Sequence, residues 1–552
     1  MSEPVSSSSG KRFSCPNCGG GLKYDIRAKS MVCSQCGSQA ALAHLDDGPD
    51  SGETMEVMEY HCPQCGAMVY SSDTSATGFC SFCGSDVILS GRLGHTRRPA
   101  AIVPFSVTRE ECEQRYRERL RHYRLMPAEL ESEETISHFR PVYVPFWSYH
   151  VQSEGPAELT GVKTYTEEGY KYTEDYKLSM DAEINQDGIL YDASTAFEDE
   201  TAAMLQHMAY QAVPFHSAYL CGFYAQTADV PPETYEEEAA ATAARLFMDW
   251  VKEKNEMDSV EITGDIHHSF GLPNARFEKK LVMLPVWLLA HRQGQRVVYT
   301  AVNGYDGKVV CDVPVSSGKI ALLTGIMTLV LFLLLNTLVT LKPDLLMLLC
   351  GLLLLIVQIL FTGAQTVLNN RRTRAFEPDF SGERPVFKGP AQALLKMKEG
   401  SVAIDQKAPG QHPVKAWLKK GSTRLLLQFI LFLAIANGFP FRFLNAFQSG
   451  NIYNSTAWLP ECMLILLVIM VIYTIVTVVK KKNSGPLLPR LLSCIACGAG
   501  VLFLYLRQTE DLLYYGCTAA MLLAAIWELL SITRAHNEYA SRPVPFFQEE
   551  HA

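Results

Sequence analysis

The apolar residues of this chain are concentrated after residue 319. Ile320 to Leu341 is almost wholly apolar, and a helix of that length rises about 33 Å, enough to cross the hydrocarbon core of a bilayer. A short polar turn at 342–344 follows, and Leu345 to Val367 is apolar again. The pattern predicts a transmembrane helical hairpin over residues 319–368.

Four further apolar segments predict transmembrane helices within residues 425–533. They lie at about 425–444, 460–479, 487–506 and 512–532. The first is interrupted by Asn437, Pro440 and Arg442, so a re-entrant or interfacial segment is the alternative there. We therefore expect an all-α transmembrane region of about six helices.

Basic residues near the ends of these segments predict the orientation. Lys and Arg are frequent in the segment 369–424, and Lys480, Lys481 and Lys482 follow the fourth helix. The positive-inside rule then places the basic segment 369–424 and the tail 534–552 in the cytosol. Membrane lipids are expected partners, because clustered juxtamembrane Lys and Arg can also contact anionic headgroups.

Between residues 99 and 316 the polar pattern predicts a cytosolic α+β domain. Thr108 and Glu111 form a capping box at the start of a charged helix, and a second helix is expected over about 233–254. Residues 142–192 alternate in the manner of strands, and Asn-Gly and Asp-Gly turns within 296–313 predict a β-hairpin.

Proline and large aromatic residues recur together in this domain. The phrases are Val103-Pro104-Phe105, Val144-Pro145-Phe146-Trp147, Val213-Pro214-Phe215 and Leu284-Pro285-Val286-Trp287. A proline in such a phrase suits an edge or entry strand. The alternative is that the phrases simply mark aromatic side chains of the core.

The strongest chemical motif is at the N-terminus, where two CxxC pairs occur twice. In each copy fourteen residues separate the pairs, and a glycine follows each pair. The cysteines are Cys15, Cys18, Cys33 and Cys36 in the first copy and Cys62, Cys65, Cys80 and Cys83 in the second. Four thiolates with this spacing suit a tetrahedral metal site, so the pattern predicts two structural Zn²⁺ ions in two zinc ribbons.

The ribbons organise the first hundred residues. We expect a disordered tail at 1–14, the first ribbon at 15–37, an acidic linker at 38–58 and the second ribbon at 59–86. Residues 91–98 would connect the second ribbon to the domain. His61 adjoins Cys62, but four ligands are already present, so a surface histidine is the preferred interpretation.

Charge argues against nucleic acid as a partner. The chain has a formal net charge of -9, and each four-thiolate zinc centre would add about -2 to ribbons that are already neutral to acidic. The sequence contains no phosphate-binding GxxxxGK[ST] loop, no GxSxG and no HExxH. We therefore predict neither a helicase nor a hydrolase, and no catalytic or cofactor-binding residues.

One acidic residue lies well inside a predicted transmembrane segment. Glu528 is a candidate functional carboxylate, because an ionisable group inside a membrane is costly. The favoured alternative is that it is an end residue that snorkels to the interface beside Trp527.

The order of several phrases resembles a known bacterial family. Paired CxxC ribbons precede the phrases above, Asp192-Ala193-Ser194, Tyr219-Leu220-Cys221-Gly222-Phe223 and Val302-Asn303-Gly304-Tyr305-Asp306-Gly307-Lys308, and a hydrophobic helix follows. This order resembles TFIIB-type zinc-ribbon membrane proteins, often misnamed as primosomal helicase relatives. The resemblance covers roughly residues 15–370 and implies a membrane scaffold associated with phage shock protein A-like or flotillin-like proteins. The basic segment and the last four helices depart from that family.

These patterns together predict a multi-pass plasma membrane protein with both termini in the cytosol. We expect an adaptor or scaffold, not an enzyme, whose ribbons act as recognition heads on flexible linkers and recruit cytosolic partners during envelope stress. Two alternatives remain open. One is a transporter or membrane enzyme regulated by its ribbons, and the other is a membrane-tethered nucleic-acid-binding regulator.

Overall fold

The computed structural model describes most of the chain, in stretches separated by gaps. The described residues are 13–42, 54–71, 80–85, 90–167, 170–194, 211–323, 343–376, 403–406, 459–480, 487–506 and 510–543, with a few gaps and single positions besides. The chain divides into two compact units. The sheet unit comprises Met1–Val313, Pro378–Gln411 and Ser541–Ala552, and the helical unit comprises Pro314–Glu377 and His412–Ala540.

The sheet unit contains the β-strands. They are β1 (Leu22–Asp25), β2 (Ser30–Cys33), β3 (Gln39–Ala40), β4 (Thr54–His61), β5 (Met68–Ser71), β6 (Ser90–Arg97), β7 (Ala101–Ile102), β8 (Arg140–Glu167), β9 (Tyr170–Asp192), β10 (Val213–Pro214), β11 (Tyr224–Gln226), β12 (Ser259–Ile262), β13 (Arg276–Gln293), β14 (Arg296–Asn303), β15 (Val309–Cys311), β16 (Ala403–Gln406) and β17 (Arg542–Pro543).

The α-helices fall into two groups. The sheet unit has α1 (Arg109–Leu120), α2 (Glu133–Ile136) and α3 (Glu236–Lys254), and the helical unit has α4 (Pro343–Phe376), α5 (Leu459–Lys480), α6 (Leu487–Tyr505) and α7 (Asp511–Ala540). The capping box of α1 is confirmed, because Thr108 and Glu111 make both reciprocal hydrogen bonds. The second predicted helix is confirmed as α3, which begins at Glu236 because a turn occupies the residues after Pro231.

Strand pairing joins the second ribbon to the domain. Strands β1 to β3 form a separate antiparallel sheet in the first ribbon, whereas the other described strands join one sheet that runs β10-β7-β13-β8-β11-β5-β4-β6 along its main path. Strand β4 begins inside the predicted linker 38–58, and β6 occupies most of the predicted connection 91–98. Those two boundaries were wrong, because β4 and β6 pair with each other along their whole length.

The long hairpin of β8 and β9 confirms the strands predicted over 142–192. The two strands pair from Phe146 and Asp192 at one end to Glu167 and Tyr170 at the other, with one register shift. Helix α3 packs on this hairpin through a buried face that includes several alanines and Phe247. The hairpin predicted within 296–313 is also confirmed, since β14 pairs antiparallel with β15.

The proline–aromatic phrases mark the core of the sheet unit. Phe105 is fully buried and its ring contacts the rings of Tyr143, Phe223 and Trp287. The edge-strand interpretation was wrong for Pro145, which lies in the interior strand β8. Its missing N–H is tolerated there because the β11 pairing ends at Tyr143 and the β9 pairing begins one residue after the proline.

The helical unit contains helices that are long and apolar enough to cross a membrane. Within the described residues there are three of these, Leu346–Gln365, Leu488–Tyr505 and Asp511–Ala540, and a shorter apolar helix at Leu459–Ile475. This is fewer than the six predicted. The structure therefore supports membrane association of the helical unit, and the larger number stays a prediction.

Several predicted segments lie outside the described residues. They are most of the tail 1–14, most of the helix 320–341, most of the basic segment 369–424, the candidate helix 425–444 and the end of the tail 534–552. The interpretation of Asn437 and Arg442 as an interruption falls in this part of the chain.

Candidate metal centres

The eight predicted ligands lie together as two groups of four thiols. One group is Cys15, Cys18, Cys33 and Cys36, and the other is Cys62, Cys65, Cys80 and Cys83. In each group all four sulfur atoms lie within 4.8 Å of one another. The grouping predicted from the CxxC spacing is confirmed, and each group could hold a metal ion.

The same backbone turn closes all four CxxC pairs. In each pair the glycine after the second cysteine donates its N–H to the carbonyl of the first, at 2.8 to 3.0 Å. These glycines, Gly19, Gly37, Gly66 and Gly84, have φ between 67° and 74°. A side chain is disfavoured at such φ values, which explains the glycine after every pair.

The sulfur–sulfur distances fit a tetrahedral ion. In the first ribbon Cys15 and Cys36 are 3.7 Å apart, and Cys18 and Cys33 are 3.5 Å apart. The two corresponding pairs in the second ribbon are both 3.8 Å apart. A tetrahedron with metal–sulfur bonds of about 2.3 Å has edges of about 3.8 Å. Four sulfurs at the corners leave no position for water, so such a centre would be structural.

The thiols of the second ribbon cannot all ionise without a compensating positive charge. Hydrogen bonds to Cys65 and Cys80 lower the pKa of the Cys62 thiol to about 6. In turn, the side-chain hydrogen bond with Cys62 raises the pKa of the Cys65 thiol far above its ordinary value. A divalent cation at the centre removes this conflict, since it stabilises all four thiolates together.

A serine supports the last cysteine of each ribbon. The Ser38 hydroxyl lies 3.0 Å from the sulfur of Cys36, and the Ser85 hydroxyl lies 3.0 Å from the sulfur of Cys83. The side chain and backbone amide of Ser38 lower the pKa of Cys36 to about 6. Neither serine was predicted as a supporting group, although the repeated Cys-Gly-Ser at the end of each copy is a usable signal.

The two centres differ in exposure. All four cysteines of the second ribbon are buried, whereas Cys18 and Cys36 of the first ribbon are exposed. Residues 16–19 and 34–37, which form the two knuckles of the first ribbon, are exposed throughout. His61 is half-buried at the end of β4 and does not join the four-thiol group.

The first ribbon packs on the segment 216–223 of the domain. The backbone N–H of Tyr24 donates to the carbonyl of Cys221, and the Tyr24 ring contacts the rings of Tyr219 and Phe223. Phe13 packs against His216. The prediction that this ribbon hangs on a flexible linker was wrong, because its apolar residues belong to the core of the domain.

Side-chain contacts also hold the second ribbon, besides its strand pairing. The Tyr299 hydroxyl on β14 donates to the carbonyl of Phe82, which lies between two of the ligands. Arg292 on β13 donates to the Ser85 hydroxyl at 3.0 Å. The ribbon is therefore fixed to the β13–β14 hairpin on one side and, through β5, to β11 on the other.

One relative places this chain in a family. The uncharacterized protein YdjG of Bacillus subtilis strain 168 is 34% identical over 317 residues, which are 56% of this chain and 92% of that protein. The chain belongs to the YdjG family. This membership assigns no activity, because YdjG is itself uncharacterized. No protein-family model matches the chain, and no solved structure matches it.

Proposed function

We propose that this protein is a membrane-anchored zinc-ribbon adaptor, a scaffold that recruits cytosolic partners to the bacterial membrane under envelope stress. The observation that carries the proposal is the pair of closed four-thiol centres built into a unit whose chain continues into apolar helices. Zinc is the proposed ion in both centres, because four thiolates in a tetrahedron suit it best. The proposal gives these ions a structural role and no part in catalysis.

The first ribbon is the proposed recruiting surface. Its two knuckles, residues 16–19 and 34–37, form neighbouring exposed turns, whereas the residues 80–83 of the second ribbon are buried. The metal would hold the exposed turns rigid, so a partner would bind without a large loss of conformational entropy. Confinement to the membrane raises the effective concentration of the ribbon for any partner that is also at the membrane.

The C-terminal strand supports the proposed topology. Strand β17 follows α7 directly and pairs with β14 of the sheet unit. The chain therefore leaves the sheet unit after Val313, returns to it over Pro378–Gln411 and returns again at Ser541. If the helical unit lies in the membrane, the number of crossings is even, which agrees with six helices and a cytosolic location of the ribbons and of both termini.

The partner class rests on the resemblance to TFIIB-type zinc-ribbon membrane proteins. Phage shock protein A-like and flotillin-like proteins are the proposed cytosolic or membrane partners. The basic segment 369–424 would add contacts with anionic lipid headgroups, because juxtamembrane Lys and Arg are each worth about 1 kcal/mol near a charged surface.

A matched pair of variants tests the recruiting surface. Pro16 and Pro63 occupy the same position of the first CxxC pair in each ribbon, and both are exposed. We expect Pro16→Arg to reduce recovery of the specific partners at least about tenfold. A bulky charge in the middle of the exposed turn would weaken the binding free energy by about 1.4 kcal/mol or more, which corresponds to that factor. Pro63→Arg should keep them. The measurement is quantitative mass spectrometry of proteins that copurify with the full-length protein from solubilised membranes.

The zinc content of each variant is the folding control and should be unchanged. If Pro16→Arg recovers the same partners as Pro63→Arg, the first ribbon is not the recruiting surface. The control is the same purification from membranes that lack the protein. If the wild-type protein copurifies with no more cytosolic protein than this control, the adaptor function itself is wrong.

A transporter or membrane enzyme is the second candidate, and one observation favours it. Several polar side chains, including Arg490 and Glu528, are buried inside the helical unit. Membrane helices that serve only as an anchor do not need such groups, which are costly in an apolar environment.

A further inference from the structure

Polar side chains from all four described long helices of the helical unit are buried. Gln358 on α4, Thr474 on α5, Arg490 and Ser493 on α6 and Glu528 on α7 are each at most 6% exposed. Interpreting Glu528 as a snorkelling end residue was wrong, because Glu528 has no exposed surface while its neighbour Trp527 is 44% exposed. Its carboxyl group instead faces Ser493 on the neighbouring helix.

Thr474 shows how a buried hydroxyl is satisfied in this bundle. Its oxygen accepts a hydrogen bond from the Gln358 side-chain amide at 2.7 Å and donates its one proton to the carbonyl of Met470 at 2.8 Å. These two contacts give the hydroxyl both a donor and an acceptor, and the sulfur of Cys494 lies 3.9 Å from the same oxygen.

Ser493 is in a different situation, because it lies between two oxygen atoms. Its hydroxyl oxygen is 3.1 Å from the carbonyl of Pro489 and 2.7 Å from Oε1 of Glu528. The carbonyl can only accept a hydrogen bond, and an ionised carboxylate can also only accept. A hydroxyl has a single proton, so Ser493 cannot satisfy both contacts when Glu528 is ionised.

A proton on Glu528 resolves this arrangement. The carboxyl O–H at Oε1 then donates to the Ser493 oxygen, and the Ser493 hydroxyl donates to the Pro489 carbonyl, as in other serines that bond back along a helix. Oε2 is buried and has no hydrogen-bond partner among the described residues. Leaving this oxygen unpaired costs less free energy when it is the C=O of a neutral acid than when it belongs to a charged carboxylate.

We propose that Glu528, with Ser493, is a proton-binding site inside the helical unit. Release of the proton reverses the hydrogen bond, so that Ser493 donates to the carboxylate and gives up its bond to Pro489. The proton leaves to solvent or to another acceptor, and no other bond is formed or broken.

The charged neighbour Arg490 makes the deprotonated state accessible. Its charge interacts with that of Glu528, and its guanidinium lies over the Phe361 ring on α4 at 5.0 Å. Among the described residues, Cys494 is a further titratable group near Glu528, and Tyr473 lies near Arg490. The site therefore has a stable arrangement with the proton and a second one without it, which is what reversible binding requires.

This site goes beyond the adaptor proposal and would operate without any partner of the ribbons. A proton taken up at this site changes the net charge within the apolar region by one. Such a change is the elementary step of proton-coupled membrane proteins. The second candidate function thereby acquires a specific residue and a specific ligand.

Infrared spectroscopy tests the proposal directly. The full-length protein in phosphatidylcholine nanodiscs is titrated from about pH 4 to pH 9, the range that ordinary and buried carboxyl groups cover. We expect the C=O stretching band of a neutral, buried carboxylic acid at acidic pH and its reversible loss at alkaline pH. The band should shift in protein made with ¹³C-labelled glutamate and should be absent from Glu528→Gln.

Two further variants separate the site from a general effect on folding. Ser493→Ala should keep the band but move it in frequency, because the acid loses its hydrogen-bond acceptor. Glu461→Gln, which changes a different buried carboxyl group on α5, should leave the band in place. The isotope shift shows that the band belongs to a glutamic acid, and the frequency change in Ser493→Ala assigns it to Glu528 if Glu528→Gln does not fold.

A wild-type spectrum without a ¹³C-sensitive acid band at any pH in the range would overturn the proposal. A band that persists unchanged in Glu528→Gln would also overturn it, because the proton would then be on another carboxyl group.

Discussion

At the scale of single residues, the ribbons depend on groups that do not bind the metal themselves. Ser38 and Ser85 place a hydroxyl 3.0 Å from the last sulfur of each centre. A hydroxyl donor stabilises thiolate over thiol, and it also orients the sulfur toward the other three ligands. Ser85 has the additional contact with Arg292, so the second centre is connected to β13 through this residue.

We expect Ser85→Ala to lower the zinc affinity of the second ribbon about tenfold, because supporting hydrogen bonds of this kind contribute 10- to 100-fold to metal affinity. Ser38→Ala should have a similar effect on the first ribbon. Competition with a chromophoric chelator measures both. Ser34→Ala is the control, since its hydroxyl donates to the carbonyl of Gly21 rather than to a sulfur. Equal zinc loss from Ser34→Ala would contradict the role of the two serines.

The residue scale also shows which features could be predicted from sequence. The glycine knuckles and the Thr108 capping box were predictable, because neighbours within a few positions determine them. The burial of Glu528 could not be predicted in this way. It depends on Ser493, which comes from another helix and is 35 positions away in the chain.

At the scale of secondary-structure elements, two short strands pair with different parts of β14. Strand β15 pairs with Thr300 to Val302, and β17 pairs with Arg296 and Val297. Arg296 also donates to the Ser541 hydroxyl at 2.8 Å, and Arg542 lies over the Tyr299 ring at 5.1 Å. Along the chain, helices α4 to α7 thus all lie between β15 and β17, which pair with the same strand.

Removal of residues 541–552 should increase hydrogen exchange at Arg296 and Val297 by about tenfold, because one or two hydrogen bonds worth about 1 kcal/mol each are lost. The residues Thr300 to Val302 should stay protected by β15. Exchange measured by mass spectrometry on the detergent-solubilised protein resolves the two regions. Removal of residues 544–552 alone keeps β17 and is the matched control. Equal exchange in both truncated proteins would show that β17 does not pair as described.

The pairing of β11 and β17 shows the limit of sequence patterns for elements. Each is only two or three residues long, and no alternation of polar and apolar residues can be read in so short a segment. Both strands are fixed by partners that are distant in the chain, Tyr70 and Val142 for β11 and Val297 for β17. Long elements such as α3 and the β8–β9 hairpin were predictable because each contains several repeats of the polar and apolar pattern of its structure.

At the scale of the whole molecule, the ribbons are parts of the sheet unit and are not separate heads. Phe223 shows this most clearly, because its ring contacts Tyr24 of the first ribbon and its carbonyl accepts a hydrogen bond from Ser71 of the second. Loss of metal from a ribbon would therefore disturb the domain as well. The sequence predicted the metal ligands correctly, but the contacts that dock the ribbons depend on the folded domain.

The central claim is that two metal ions, each bound by four cysteines, hold this membrane-anchored unit together. Zinc X-ray absorption on the purified full-length protein, with the metal content measured on the same sample, tests it most directly. We expect two zinc ions per chain and about four sulfur neighbours at about 2.3 Å around each ion. Less than one zinc ion per chain, or a first shell dominated by oxygen or nitrogen, would contradict it.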